Sequence, residues 1–297
     1  MEISLFFVRK DRGEAMLKER AEKKKFKEGF ANEVKEIYAL TQDDVYSARL
    51  RGELCWTAGI RLLAFVDVKS GELKQEKKVV QWMLSEKENH KVGKLYHLKK
   101  ETIYRLRVRE SLPQKNKWTN EELPQGVRFL LVDVLERDVK QKQLQEILNK
   151  YQTPVVMRLS DRCELQLNRS LSMFQGQDVW NRKTIEVTLD VDRENEECAE
   201  AALSIYQKLK KDEREWDEKA RSYAAQELLS CAIDWQQEEE AELNAEGFIR
   251  RIQIETVSIS QEGDFEFYYN DDDIFAGHVI IVSGNMEKGC TYVEFAG

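Results

Sequence analysis

The chain has 297 residues, 41% hydrophobic and 34% charged, which is enough apolar material for two domains with separate cores. Its 3 prolines and 14 glycines argue against a low-complexity or linker-dominated protein. No stretch reaches the roughly 18 uninterrupted apolar residues of a spanning helix, so no membrane association is expected. The net charge of −8 is unevenly divided. Residues 1–150 carry 32 Lys+Arg against 24 Asp+Glu, a balance of +8, and residues 151–297 carry 15 against 31, a balance of −16. Opposite signs point to two units with different surroundings, attracted to each other or to different partners. Five cysteines, Cys55, Cys163, Cys198, Cys231 and Cys290, stand singly with no CxxC. That pattern predicts reduced thiols, a cytoplasmic location and no structural zinc.

The N-terminal "MEISLFFVRK" has no basic region before its apolar run and no small-residue cleavage site after it. It reads as a strand over residues 2–8, not as a signal peptide. Lys18 to Lys27 is a charge run, expected as a solvated helix or loop. From Val45 to Glu110 the pattern is that of strands. "VYSARLRGEL" alternates, setting Arg49 and Arg51 on one face. "IRLLAFVDV" and "KVVQWML" flank a turn at Gly71. "TIYRLRVRE" sets Tyr104, Leu106 and Val108 against Arg105, Arg107 and Arg109. Short strands and turns predict a small antiparallel barrel or sandwich. Leu112 to Gly126 is a loop, "VRFLLVDVLE" is another strand, and Lys140 to Tyr151 is an amphipathic helix with Leu144, Ile147 and Leu148 on one face.

The domain boundary is placed near residues 140–155, giving a basic, mainly β domain over 1–145 and an acidic α+β domain over 155–297. In the second, "CELQLNR" and "KTIEVTLDV" read as strands around the turn "FQGQDVW". Ala201, Ala202, Ile205 and Leu209 predict one helix. Trp216, Ala220, Tyr223, Ala224, Leu228, Cys231 and Trp235 predict a longer one. The acidic "QEEEAELNAE" leads into strands "FIRRIQIETVSIS", "DFEFYY", "IFAGHVIIVSG" and "TYVEFAG". The order ββ-αα-ββββ predicts a helix pair on an antiparallel sheet, an α+β fold.

Asp271, Asp272 and Asp273 raise the question of a metal or acid–base site with His278. A hairpin closed by Tyr269 and Ile274 sets Phe265 opposite His278, tucks the imidazole into an apolar layer and leaves the aspartates in water at the tip. An EF-hand is excluded, because Phe275, Ala276 and Val282 occupy the fifth, sixth and twelfth positions counted from Asp271. The expected role is a turn with a semi-buried histidine that has one hydrogen-bonded nitrogen. A weak carboxylate metal site, and a binding surface where Gly277 admits a partner close to the strand, are the other readings kept. No metal or other cofactor is expected.

The residues Phe265, Phe267, Tyr268, Asp271, Asp272, Phe275, Gly277, His278, Ile280, Val282, Gly284, Gly289, Ala296 and Gly297 carry a resemblance. The tail of the chain resembles a bacterial family of uncharacterised domains, over about 160–297. The resemblance implies a bacterial, soluble protein. It brings no catalytic residues, since no activity is assigned to the family.

Phosphate-binding glycine loops, HExxH and GxSxG are absent from the sequence. His90 and His97 lie in polar surroundings and are expected on the surface. The arginine row Arg105, Arg107 and Arg109, spaced about 7 Å apart by strand geometry, could join Arg49 and Arg51 in a positive platform near Trp56, Trp82 and Tyr96. Such a platform would suit single-stranded nucleic acid. The bland alternative is a solvated face whose arginines pair with cross-strand glutamates. The leading functional expectation is a non-enzymatic protein-interaction module whose acidic domain meets a basic partner. A nucleic-acid-binding N-terminal domain and a carboxylate-based metal-dependent hydrolase are the alternatives.

Overall fold

The computed structural model describes residues 16–115, 119–160, 163–236 and 243–297; the strand expected over 2–8 lies outside them. The fold is mixed α+β, in two compact units that meet between Thr153 and Pro154.

In the first unit the charge run of Lys18 to Lys27 belongs to a helix, α1 (residues 16–28). The strands are β1 (Lys35–Thr41), β2 (Tyr46–Ala48), β3 (Trp56–Asp67), β4 (Leu73–Lys74), β5 (Lys78–Leu84), β6 (Ile103–Glu110), β7 (Gln114–Lys115), β8 (Glu122–Leu123) and β9 (Arg128–Glu136). A short helix α2 (Glu86–Asn89) follows β5, held by a Ser85/Glu88 capping box. β1 pairs with both β3 and β6, so the pairings run β1–β6–β9–β5–β3 and return to β1. Inside the ring, Ile37, Ile60, Leu62, Trp82, Leu106, Val108 and Phe129 form one core. Outside it, α3 (Lys142–Gln152) lays Leu144 and Leu148 on Leu40, Ala64 and Val66. The expected all-antiparallel sheet is corrected at one seam, because β5 and β9 run parallel. Alternation of side chains fixes which face is buried but carries no information about strand direction.

The second unit is an eight-stranded sheet in the order β10 (Val156–Ser160), β11 (Cys163–Asn168), β12 (Met173–Trp180), β13 (Lys183–Asp190), β14 (Gln253–Ile259), β15 (Asp264–Asn270), β16 (Val279–Asn285) and β17 (Gly289–Ala296). Two corrections follow. "MFQGQDVW" is itself a strand, and the turn after it is Asn181-Arg182, both at positive φ (48° and 68°) as a two-residue hairpin of the primed type requires. The helices are three: α4 (Glu200–Lys211), α5 (Glu213–Trp235) and α6 (Ala245–Arg251), the last where "FIRR" reads as strand. Asn244 caps α6 by accepting from Gly247 N, and this cap decides for helix over strand.

The helices connect β13 to β14, which are parallel; all other neighbours in this sheet are antiparallel. A parallel pair needs a long crossover, and α4 to α6 provide it. Tyr206, Leu209, Trp216, Ala220, Ala224 and Leu228 bury against Phe174, Val187, Val257, Phe265, Phe267 and Val282. α4 and α5 pack on one face of the sheet, and α6 packs against α5. Gly284 of β16 is obligatory for packing: a Cβ there would lie 2.1 Å from Gly289 O and 2.8 Å from the Phe265 ring.

Candidate functional site

On the helix side of the second unit, Asp217 interrupts the apolar line of α5. Its neighbours along that line, Ala220, Ala224 and Leu228, are all buried, and Asp217 itself is only 5% exposed. A buried carboxylate is tolerated only when fully hydrogen-bonded, and four donors meet it. Tyr269 Oη donates to Oδ1 at 3.0 Å and Arg221 Nε to Oδ1 at 3.1 Å. Asn181 Nδ2 reaches Oδ2 at 3.2 Å and Arg221 Nη2 reaches it at 2.8 Å. Burial, followed by the adjoining carboxylate, pushes the Tyr269 phenol far above its ordinary range, so it stays a donor. The cluster joins helix α5, strand β15 and the β12–β13 turn. It borders a cavity of about 570 Å³ lined by Asn181, Arg182, Glu213, Arg214, Glu218, Arg221 and Ile249 among others. Sequence reasoning passed over Asp217. The available signal was its place three residues before Ala220 and seven before Ala224, at the head of the apolar line, with Arg221 one turn on.

The triple aspartate does something different from the turn expected of it. β15 and β16 pair Tyr269 with Ile280 and Phe265 with Gly284, so residues 271–278 are a loop and His278 is not a strand residue. Asp271 is not in water at a tip but 2% exposed. Its carboxylate accepts from the backbone N–H groups of Asp273 (3.2 Å), Phe275 (2.7 Å) and Gly277 (3.2 Å). That collected set winds the loop through positive φ at Asp272, Asp273, Ala276 and Gly277. Asp272 accepts instead from Arg251 Nε at 2.8 Å. His278 is half-buried, with its ring edge-on to Trp235 and Phe295 and Nδ1 hydrogen-bonded to Phe275 O. Phe275 stacks on Phe295, with ring centroids 4.4 Å apart. Gly277, at φ 83°, serves the loop conformation and does not lie on a strand. Among the described residues no group of three or more His, Cys, Asp or Glu could hold a metal.

The arginine row points outward from β6, opposite the buried Tyr104, Leu106 and Val108. Glu36 of β1 accepts from Arg105 at 2.8 Å and from Arg107 at 3.2 Å, and Arg105 also reaches Glu136 of β9 at 2.8 Å. The two arginines hold the Glu36 carboxyl below the usual carboxylate range. Arg109 donates to the carbonyls of Lys27, Phe30 and Ala31, which closes the C-terminal end of α1. Arg49 and Arg51 do not alternate on a strand, because β2 ends at Ala48. Arg49 bridges to Glu86 and lies 4.7 Å from the Trp56 ring, while Arg51 is exposed on the following turn. Trp82 is buried and stands edge-on to Tyr96. His90 and His97 are exposed.

The face of the C-terminal sheet opposite its helices carries a different pattern. One row across it runs Gln177, Glu186, Thr256, Tyr268, Ile281, Glu294, and the next runs Gln175, Thr188, Ser258, Glu266, Ser283, Tyr292. Glu164, Asp190 and Asp264 extend the same face, giving six carboxylates with Glu186, Glu266 and Glu294 among the described residues. Arg158, the cation among the described residues of this face, is paired with Glu164 at 2.9 Å. Tyr268 donates to Glu266 and Tyr292 to Glu294. Burial, then the nearby Glu262 and Glu266, raise the Asp190 carboxyl above its ordinary range. Tyr292 and Val179 are 55% and 50% exposed. This face is therefore acidic and carries aromatic and aliphatic side chains among its carboxylates.

Residues 161–294 match a family described as an uncharacterized protein conserved in bacteria (DUF2262), in agreement with the resemblance carried by the tail. Residues 22–151 match a second family, a domain of unknown function (DUF7021). The two matches fall one in each compact unit, and neither family's description names an activity. No curated protein and no solved structure gives a match. Among the described residues no helix is long and apolar enough to cross a membrane.

Proposed function

We propose that this is a two-domain interaction protein whose C-terminal domain binds a basic protein segment on the helix-free face of its sheet. The division into domains is supported by the two compact units and by two separate family matches that end and begin on either side of Thr153. The finer fold reading, a small barrel followed by a sheet covered by helices, is supported by the return pairing of β1 to β3 and by the placement of α4 and α5 on one side.

One observation carries the functional reading: among the described residues Glu164, Glu186, Asp190, Asp264, Glu266 and Glu294 share the open face with Arg158, which is already paired, and the half-buried Asp190 lies near Glu262 and Glu266. Like charges held on a rigid sheet cost stability, and an incoming cationic chain relieves that cost. Tyr268, Tyr292 and Ile281 supply the contact area that charges alone lack. The nucleic-acid reading draws less support, since Arg105, Arg107 and Arg109 are engaged within their own unit.

The test uses the full chain and a decalysine peptide. Binding should weaken about tenfold, equivalent to ~1.4 kcal/mol, when Glu186, Glu266 and Glu294 are together replaced by Gln. Its salt dependence should flatten in the same variant. Equal affinity of the variant and the wild type would reject the face as the binding surface.

A further inference from the structure

We propose that the cavity beside Asp217 binds the carboxylate or phosphate group of a small molecule, with Arg221 as the fixed receptor and Arg182 as the second cation. This site lies on the helix side of the C-terminal sheet and stands independently of the sheet-face reading.

The inference starts from the donors of Arg221. A guanidinium carries five N–H bonds. Among the described residues three are used: Nε and Nη2 on Asp217, and Nη1 on Ile249 O at 3.3 Å. One N–H on each terminal nitrogen remains, and the side chain, 22% exposed, lines the cavity. Two such N–H groups form the fork that accepts a carboxylate or phosphate in bidentate fashion. Asp217 is saturated by its four donors, so it does not compete for a ligand; it fixes the plane of the guanidinium, as a supporting residue does in a preorganised site.

The other carboxylates at the cavity are also neutralised. Glu218 pairs with Arg214 at 2.9 Å and Glu213 with Lys210. Arg182 pairs with no carboxylate among the described residues, and it sits at φ 68°. The second position of such a turn favours glycine strongly. An arginine held in left-handed backbone at the mouth of a cavity is a strained residue whose charge, not its conformation, suits the place. The volume of about 570 Å³ falls within the range of small-molecule sites, roughly 300–1,000 Å³, and Ile249 provides an apolar wall.

The experiment follows the Arg side-chain N–H resonances of the full chain during titration with sodium phosphate, with sodium acetate and with sodium chloride at matched ionic strength. Saturable shifts at Arg221 with phosphate or with acetate, absent with chloride, are expected; the anion that saturates first identifies a phosphoryl or a carboxylate ligand. Arg182→Gly should weaken that binding at least fivefold while raising Tm, because it removes charge and backbone strain together. Arg221→Lys should weaken it at least tenfold, because an ammonium cannot reproduce the fork. The proposal is overturned if neither anion saturates, if chloride produces the same shifts, or if Arg182→Gly is more stable and binds as the wild type does.

Discussion

Tyr269 and Asp217, 52 residues apart in sequence, meet through a 3.0 Å hydrogen bond inside the C-terminal core. The bond ties the middle strand of the last meander to the first turns of α5, and with it Asn181 and Arg221 assemble around one buried carboxylate.

Removing the tyrosine hydroxyl tests that alignment. Tyr269→Phe keeps the ring in the core but withdraws one donor from a buried charge, and a loss of about 1–2 kcal/mol is expected by denaturant unfolding. Asp217→Ala leaves Arg221 and Tyr269 without their partner and should cost about 3–5 kcal/mol. In the double variant the losses should fall well short of additive.

The loop at Asp271 depends on one carboxylate. Asp271→Ala strands the backbone N–H groups of Asp273, Phe275 and Gly277 and should cost about 2–3 kcal/mol. Hydrogen exchange at Phe275 and Gly277 should rise by orders of magnitude. Asp272→Ala, whose carboxylate is exposed and bound to Arg251, should change stability by less than about 1 kcal/mol.

Asp190 should show the pH signature of an acid that is unwelcome when ionised. Burial, then Glu262 and Glu266, raise its folded-state carboxyl above the ordinary value. A raised folded pKa means that stability is highest while the group is protonated and falls as pH rises through the folded value. Asp190→Asn should therefore raise Tm at pH 7, and the gain should vanish at about pH 3, below the ordinary carboxylate range.

Glu36 should show the opposite slope. Its carboxyl is held low by Arg105 and then Arg107, so its contribution is present above the unfolded carboxylate value and is lost as pH falls through the folded one. Glu36→Gln should lower Tm slightly at neutral pH, and the difference should shrink below about pH 4. Salt should diminish the neutral-pH difference, because the group is solvent-facing.

Periodicity made the long helices and the inward faces readable. The line through Trp216, Ala220, Ala224 and Leu228 and the alternation of Tyr104, Leu106 and Val108 are as buried as their spacing implies. Phe265, Phe267, Tyr269, Ile280 and Val282 also face the core, although Phe265 lies opposite Gly284 and not His278, six residues further along. An even displacement preserves every face, so the apolar pattern could not detect the longer loop. What lengthens it is the inward turn of Asp271, a buried polar residue that looks in sequence like any turn aspartate. The parallel seams β5–β9 and β13–β14 were hidden for a related reason, since neither direction nor long-range order leaves a trace in alternation. The acidic sheet face exists only after five strands, β13 to β17, align Glu186 with Glu294 across one row, from residues more than a hundred positions apart.

The binding face is tested most directly by a photo-cross-linking amino acid placed in the bacterial host, at Tyr292 on the open sheet face and, separately, at exposed Ser222 on the helix side. The expected result is a cross-link from position 292, none from 222, to a basic protein whose purified form binds the wild-type chain and not the Glu186→Gln, Glu266→Gln, Glu294→Gln variant. A cross-link from position 222 alone, or a purified partner that binds both forms equally, would contradict it.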